Sequence, residues 1–246
     1  EISECLVGSE MCIRDRTGTL IINKKGEFLE KVSALDSVGG WISHLFEYIS
    51  GSLKEVTFEV YALEDIKAAD GESEDYYKKD DLIATITTDE TGVAKLTDLP
   101  LGKYYVKEKE TANGYVLDGT AREIDLTYRD QDTAEVTYSS DWQNNRQKAE
   151  VKVLKKEKDS DRVLEGAVFA LCNKEDIVNA NGDVILKADT VIEEQATDKE
   201  GKLTFTADLP IGYTYYVKET SPAPGFATTD QVQEFIFEYD GADKET

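Results

Sequence analysis

Cysteine, histidine and methionine are nearly missing from this 246-residue chain, which holds three, one and one of them. The single histidine, His44, cannot form a multi-histidine metal site, and no Ser-His-Asp constellation is expected around it. No apolar run reaches the length of a membrane-spanning helix. Helical periodicity with a cap at each end is also lacking. Basic residues are scarce, with 28 Lys and Arg against 51 Asp and Glu, a formal net charge of −23. That balance excludes nucleic-acid binding, which needs clustered cations for phosphates, and it disfavours anionic lipid. It fits a self-repelling surface that stays monomeric. Neither a phosphate-cradling glycine loop nor a dinucleotide fingerprint is present. No cofactor and no metal are expected.

The first sixteen residues read as something other than protein. Leu6 to Asp15 back-translate as CTC GTG GGC TCG GAG ATG TGT ATA AGA GAC, which resembles the transposase adapter of short-read DNA libraries. Glu1 to Cys5 and Arg16 continue in the same frame. Residues 1–16 are therefore set aside as adapter-derived, with the natural sequence starting near Thr17, part-way through a gene. The excision removes Cys5, Cys12 and Met11 and leaves Cys172 alone. It also takes four acids and two arginines, moving the net charge from −23 to −21. A lone cysteine makes no internal disulfide, so an extracellular protein of this kind needs another source of robustness.

What is present is a repeat. Leu53 to Val60 matches Leu164 to Leu171, Thr88 to Gly92 matches Thr197 to Gly201, and Asp98 to Gly102 matches Asp208 to Gly212. Tyr105-Val106-Lys107-Glu108 matches Tyr216-Val217-Lys218-Glu219, and the offset stays between 109 and 111 throughout. Val56 to Tyr61 and Ile83 to Thr87 alternate polar and apolar residues at strand period. Leu99-Pro100-Leu101-Gly102 is a type I turn candidate, and Gly92 and Gly201 stand where a hairpin needs positive φ. The expected class is all-β, two tandem sandwiches. The first covers 17–148 and the second 149–246. The second is expected to lack its last strand and to expose an unpaired edge. The joint, Asn144 to Glu150, has no Gly or Pro and is expected to be short and stiff. The first repeat carries an extra segment, Glu30 to Ser52, where the second has only a short turn. Trp41 to Ile49 fits a short helix or an added hairpin, with covering the edge of the first sandwich as its expected role.

Leu164 to Phe169, the Leu209-Pro210-Ile211-Gly212 turn and the run Tyr216 to Phe226 together resemble the SpaA-type or Cna protein B-type repeats of Gram-positive pilins and adhesins. Tyr216 to Phe226 looks like that family's E-box, and Tyr105 to Tyr115 is a weaker copy. The resemblance implies a prealbumin-like sandwich, cell-wall attachment and a stalk role. It further implies a lysine–asparagine (or aspartate) isopeptide bond, formed when a desolvated lysine amine attacks a carboxamide polarised by a buried glutamic acid. Under it, Lys152 and Glu219 are the second repeat's candidates, with the acceptor beyond the chain's end. Glu108 and Asn144 are the first repeat's, with Ile21 at the lysine position and Lys24 and Lys25 assigned to the surface. On that assignment neither repeat holds a complete set. The glutamates are in phase with apolar neighbours, Glu108 with Tyr104 and Val106, and Glu219 with Tyr215 and Val217. A solvated acid at a strand end remains the alternative.

Other chemistry reads as structural. Cys172 aligns with Tyr61 on a strand and is expected in the core. The acidic runs Glu72 to Asp75 and Asp80-Asp81 match no calcium loop and are expected to be solvated. The leading functional expectation is a structural spacer without enzyme activity. The alternative is a ligand-binding adhesin module for a host matrix protein or glycan, supported by Glu30 to Ser52. Any host ligand of the stalk is expected to meet other parts of a longer protein. An accessory domain of a secreted enzyme is a third option.

Overall fold

The structure, a computed structural model, describes residues 16–35, 41–68, 74–130 and 132–246. The adapter-like residues 1–15 lie outside them, as do Glu72 and Ser73 of the first acidic run. Strands β1 (Thr17–Leu35) and β2 (Ser43–Ser52) come first. They are followed by β3 (Thr57–Ala62), β4 (Leu82–Thr87), β5 (Val93–Leu99), β6 (Lys103–Glu110), β7 (Arg122–Asp125) and β8 (Glu135–Gln143). Then come β9 (Lys152–Leu154), β10 (Val168–Asn173), β11 (Ile177–Val178), β12 (Val184–Leu186), β13 (Val191–Ala196), β14 (Lys202–Thr204), β15 (Tyr213–Ser221) and β16 (Val232–Phe237). No helix is found among the described residues.

The chain divides into two compact units, but not where the repeat boundary lies. Unit 1 is the chain up to Gly26 together with Gly51–Asn145, and unit 2 is Glu27–Ser50 with Arg146–Thr246. In unit 1 the first part of β1 sits between β5, antiparallel, and β8, parallel. A four-stranded sheet, β4-β3-β6-β7, supplies the other layer. Strand alternation sends Leu20, Ile22, Phe58, Val60, Tyr104, Val106, Ile124 and Trp142 inward, each at most 1 % exposed. Each such side chain contributes roughly 1.5–3 kcal/mol of burial energy.

Unit 2 repeats the frame: β10 lies between β13 and β15, β16 flanks β15, and β9 pairs with β14. Its core includes Leu164, Phe169, Leu171, Ile192, Leu209, Tyr215 and Val217. The equivalence reaches single hydrogen bonds. Lys24 N donates to Gly92 O at 2.7 Å and Leu53 N to Lys24 O at 2.9 Å. In unit 2, Lys155 N donates to Gly201 O at 2.8 Å and Leu164 N to Lys155 O at 3.1 Å. Buried Thr88 bridges Leu53 O and Val56 N, as buried Thr197 bridges Leu164 O and Ala167 N.

One sequence expectation, the role of the extra segment, is corrected here. The extra segment is a hairpin built from the second half of β1 and from β2, and it belongs to unit 2, not to the first sandwich. Strand β2 pairs antiparallel with β13 through Ser43 and Glu193, while Phe46, 3 % exposed, joins the unit 2 core. By compactness the two units divide at 145/146. The Arg146 guanidinium packs 3.7 Å from the Tyr48 ring centroid and pairs with Asp208, and Gln147 donates to Gly241 O and Lys244 O.

Gly92 and Gly201 adopt the expected positive φ, 75° and 71°. An added Cβ would lie 2.7 Å from Lys24 O and from Lys155 O respectively. Gly92→Ala therefore meets both strain and a backbone clash, and is expected to lower unit 1 stability by roughly 1–3 kcal/mol. Urea unfolding followed by Trp142 fluorescence measures it; an unchanged midpoint would refute the steric account.

Candidate functional site

Three strands of unit 1 converge on one buried polar cluster. Leu20, Ile22 and Lys24 follow one another at period two on the inner face of β1, so the third member of an apolar stripe is a lysine. Lys24 is 1 % exposed. On β6 the inward series is Tyr104, Val106 and Glu108, with Glu108 3 % exposed. Beyond β8, Asn144 continues the inward phase of Val136 and Trp142 and is 1 % exposed. Asn144 N donates to Lys25 O at 3.1 Å, holding the chain against β1 after the strand has ended.

The three side chains form a closed ring of contacts. Lys24 Nζ lies 2.6 Å from Glu108 Oε2 and 2.6 Å from Asn144 Oδ1. Asn144 Nδ2 donates to Glu108 Oε1 and, at 2.8 Å, to Thr111 Oγ1. Both amide hydrogens are thereby used and the carboxamide oxygen faces the amine. Apolar walls surround the cluster: Lys24 Nζ sits 5.6 Å from the Phe58 ring centroid and 6.0 Å from that of Trp142. Those two rings meet edge to face at 5.2 Å. Burial pushes the Lys24 amine below its ordinary pKa, against the opposing pull of the Glu108 hydrogen bond and charge.

Lys24 was assigned to the surface from sequence; the structure buries it, because inward alternation selects Lys24 and leaves Ile21 on the opposite face. Lys25 is the surface residue, paired with Asp141 at 3.0 Å. Glu108 and Asn144, the first repeat's candidates, are buried and both contact Lys24.

Unit 2 shows the same shift of three residues. Lys152 has its side chain 63 % exposed and pairs with Glu150 at 2.7 Å. Lys155, on the face shared by Val151 and Val153, lies 2.9 Å from Glu219 Oε1 and 5.8 Å from the Phe169 ring centroid. Glu219 Oε2 accepts from Thr229 N at 3.0 Å, while Oε1 is buried with no aligned hydrogen bond. No asparagine or aspartate among the described residues bonds to either Lys155 or Glu219. Strand β9 has only β14 beside it among the described strands.

The remaining candidates are structural. Cys172 is fully buried and its thiol pKa is raised by that burial. Asp75 and Asp81 of the acidic runs serve Lys78, through its amine and its backbone N–H.

The SpaA prealbumin-like fold domain matches the chain twice, over residues 49–142 and 149–246. Among solved structures, the Bacillus anthracis TIE protein is 26 % identical over 92 % of this chain, with a TM-score of 0.57. The chain spans only 32 % of that protein's length. The shaft pilin SpaA of Lactobacillus rhamnosus GG is 18 % identical, covering 91 % of this chain and 95 % of its own, with a TM-score of 0.34. The major pilin SpaD of Corynebacterium diphtheriae is 16 % identical, covering 94 % and 95 %, with a TM-score of 0.33. No curated protein sequence matches the chain.

A chain in which Asn144→Ala removes the carboxamide retains the Lys24–Glu108 pair. Lys24 then titrates below its unfolded value of 10.5. Between the two values the unfolded chain binds more protons, so the contribution of Lys24 to stability rises with pH across that alkaline window. Denaturant unfolding of Asn144→Ala and of Lys24→Met/Asn144→Ala at stepped pH isolates this contribution. The stability of the first relative to the second is expected to climb towards pH 10.5; a flat or falling difference would contradict the lowered pKa.

Proposed function

The chain belongs to the SpaA prealbumin-like fold domain family, and from that premise we propose that its two units are structural spacer repeats of a pilin-like or adhesin protein at the bacterial cell surface. In this proposal, unit 1 carries an intramolecular isopeptide bond between Lys24 and Asn144, assisted by Glu108. The observation that carries it is the buried cluster itself. An amine with lowered pKa hydrogen-bonds the oxygen of the carboxamide whose carbon it would attack, and one carboxyl group touches both partners.

The chemistry balances with these groups alone. Lys24 passes its extra proton to Glu108 and becomes a neutral amine. Nζ attacks Asn144 Cγ, and the carbonyl electrons move onto Oδ1. As the tetrahedral centre collapses, the Cγ–Nδ2 bond breaks and Nδ2 leaves as ammonia. Glu108 takes the proton that Nζ loses and returns one to Nδ2, which its two oxygens are placed to do. The amide Nζ–Cγ forms with no external oxidant or energy source. Each site reacts once and consumes its own side chains, so it is not an enzyme.

The mechanical benefit follows from chain order. Lys24 is on the first strand of unit 1 and Asn144 closes its last, 120 residues apart. A covalent tie there prevents tension from peeling the sandwich open and supplies the robustness that the missing disulfide does not. By the loop-entropy treatment of cross-links, closing a ring of this size is worth about 5 kcal/mol. The ligand-binding alternative rests on Glu30 to Ser52, of which Phe46 and Tyr48 pack into unit 2 while Trp41, Ile42, Leu45 and Ile49 stay exposed.

Intact mass is expected to show this chain lighter by one ammonia, not two, since no asparagine or aspartate among the described residues bonds to Lys155 or Glu219. Glu108→Ala and Lys24→Ala are each expected to restore the full mass, with Lys24→Ala costing about 5 kcal/mol of unit 1 stability. Lys152→Ala is expected to change nothing. Full mass in the unsubstituted, folded chain would end the proposal.

A further inference from the structure

We infer that the hairpin at 27–50 is a donated element: the path of the chain places it inside unit 1, unit 2 needs it to fold, and the Lys24–Asn144 bond keeps it off the line of tension. The last clause rests on the proposed cross-link; the donation does not.

The donation is visible in what the hairpin satisfies. Both units contain the same edge strand, β4 in unit 1 and β13 in unit 2, by the matching registers Val60↔Ala84 and Leu171↔Glu193. In unit 1 that strand has no partner beyond β3 among the described strands, and Leu82 at its start is 53 % exposed. In unit 2, β2 covers it, with Ser43 opposite Glu193 and Glu194 N donating to Ile42 O at 3.0 Å. Ile192 is fully buried and Glu193 is 4 % exposed. The Glu193 carboxylate accepts from Thr206 N and Ala207 N, each at 2.8 Å, so its charge is buried on the assumption that the edge stays covered.

The other arm makes further contacts of the same kind. Leu29 O accepts from Ala180 N at 3.0 Å, and Leu29 and Val32 pack on the unit 2 core. Tyr48 donates to Asp208 O at 3.0 Å beneath the Arg146 guanidinium, which pairs with Asp208 and Glu27. A loose insertion would expose these groups. Here their loss would leave unit 2 with an open sheet edge, a vacated core position at Phe46 and a buried arginine without Glu27 and the Tyr48 ring.

Position along the chain supplies the mechanical half. The hairpin leaves unit 1 after Gly26 and returns at Gly51, inside the ring closed by Lys24 and Asn144. Tension between the ends runs from β1 to Lys24, across the amide to Asn144, and on to Arg146. Residues 27–50 carry none of it, whereas residues 146–246 carry all of it. Unit 2 pulled open would thus find its docking hairpin still held at the cross-link when tension falls, with only the stretch from Arg146 to Glu193 left to close before β2 and β13 pair, instead of the whole path from Ser43 to Glu193.

The test replaces residues 25–52 with 156–163, the turn that unit 2 uses at the equivalent place. Intact mass reports unit 1: loss of one ammonia means that it folds and cross-links. Hydrogen exchange of β10, β13 and β15 reports unit 2, whose protection is expected to fall to near that of an unfolded chain. Tyr48→Ser in the otherwise complete chain is expected to lower unit 2 protection roughly a hundredfold, as for truncating a core aromatic, with unit 1 unchanged. Undiminished unit 2 protection in either variant would overturn the donation. Stretching single molecules whose cross-link is verified by mass tests the other clause. Unit 2 is expected to refold at least tenfold faster than in the Lys24→Ala chain, in which tension reaches the hairpin; equal rates would overturn it. A parent chain of full mass would sink the cross-link while leaving the exchange result to decide the donation.

Discussion

A lysine amine held without water in the middle of a sandwich is the constraint on which unit 1 depends. Lys24 is among the largest fully buried side chains, in the company of Trp142, Tyr104 and Phe58. Desolvating a charge costs several kcal/mol, and a buried ion pair often returns less than a well-packed hydrophobe would. A sequence selected for stability alone would have continued the stripe of Leu20 and Ile22 with another aliphatic residue. The lysine makes sense when the charge is temporary. With Nζ acylated, as in the proposed cross-link, the site would hold a neutral amide and a carboxyl group, and the desolvation cost of the ammonium would disappear.

The same frame in unit 2 stops one step earlier. Lys155 and Glu219 meet as Lys24 and Glu108 do, yet the Lys155 side chain is 19 % exposed where that of Lys24 is fully buried. The difference lies in the neighbour. In unit 1, β8 runs parallel to β1 and its continuation delivers Asn144; β9 has no such neighbour among the described strands. Burial of the lysine and arrival of the acceptor are thus one event, because the strand that brings the carboxamide also excludes the water.

Much of this was legible in the sequence, and the misses have physical causes. The repeat, the all-β class, the positive φ of Gly92 and Gly201 and the inward phase of Glu108 and Glu219 follow from local rules of strand period and turn geometry. The lysines were misplaced because family resemblance overrode alternation: Val151, Val153 and Lys155 share a face, as Leu20, Ile22 and Lys24 do, and that phase alone selects Lys24 and Lys155. Ownership of the hairpin had no comparable local signal. Phe46 and Tyr48 pack into a core, but the partner strand, across Ser43 and Glu193, is 150 residues away.

Both surprises have one origin, the point in the chain directly after the lysine that meets the glutamate, Lys24 in unit 1 and Lys155 in unit 2. In each unit the lysine backbone is pinned between a glycine carbonyl and a leucine N–H, so whatever follows must leave and return through the same two hydrogen bonds. Unit 2 crosses that gap in eight residues, from Lys156 to Val163. Unit 1 uses the identical anchor points to send out a hairpin and recover it. An insertion at most other turns would shift the strands that carry Glu108 or Asn144. At this turn the anchors absorb the excursion, so that a hairpin can leave here while Lys24, Glu108 and Asn144 stay within hydrogen-bonding distance.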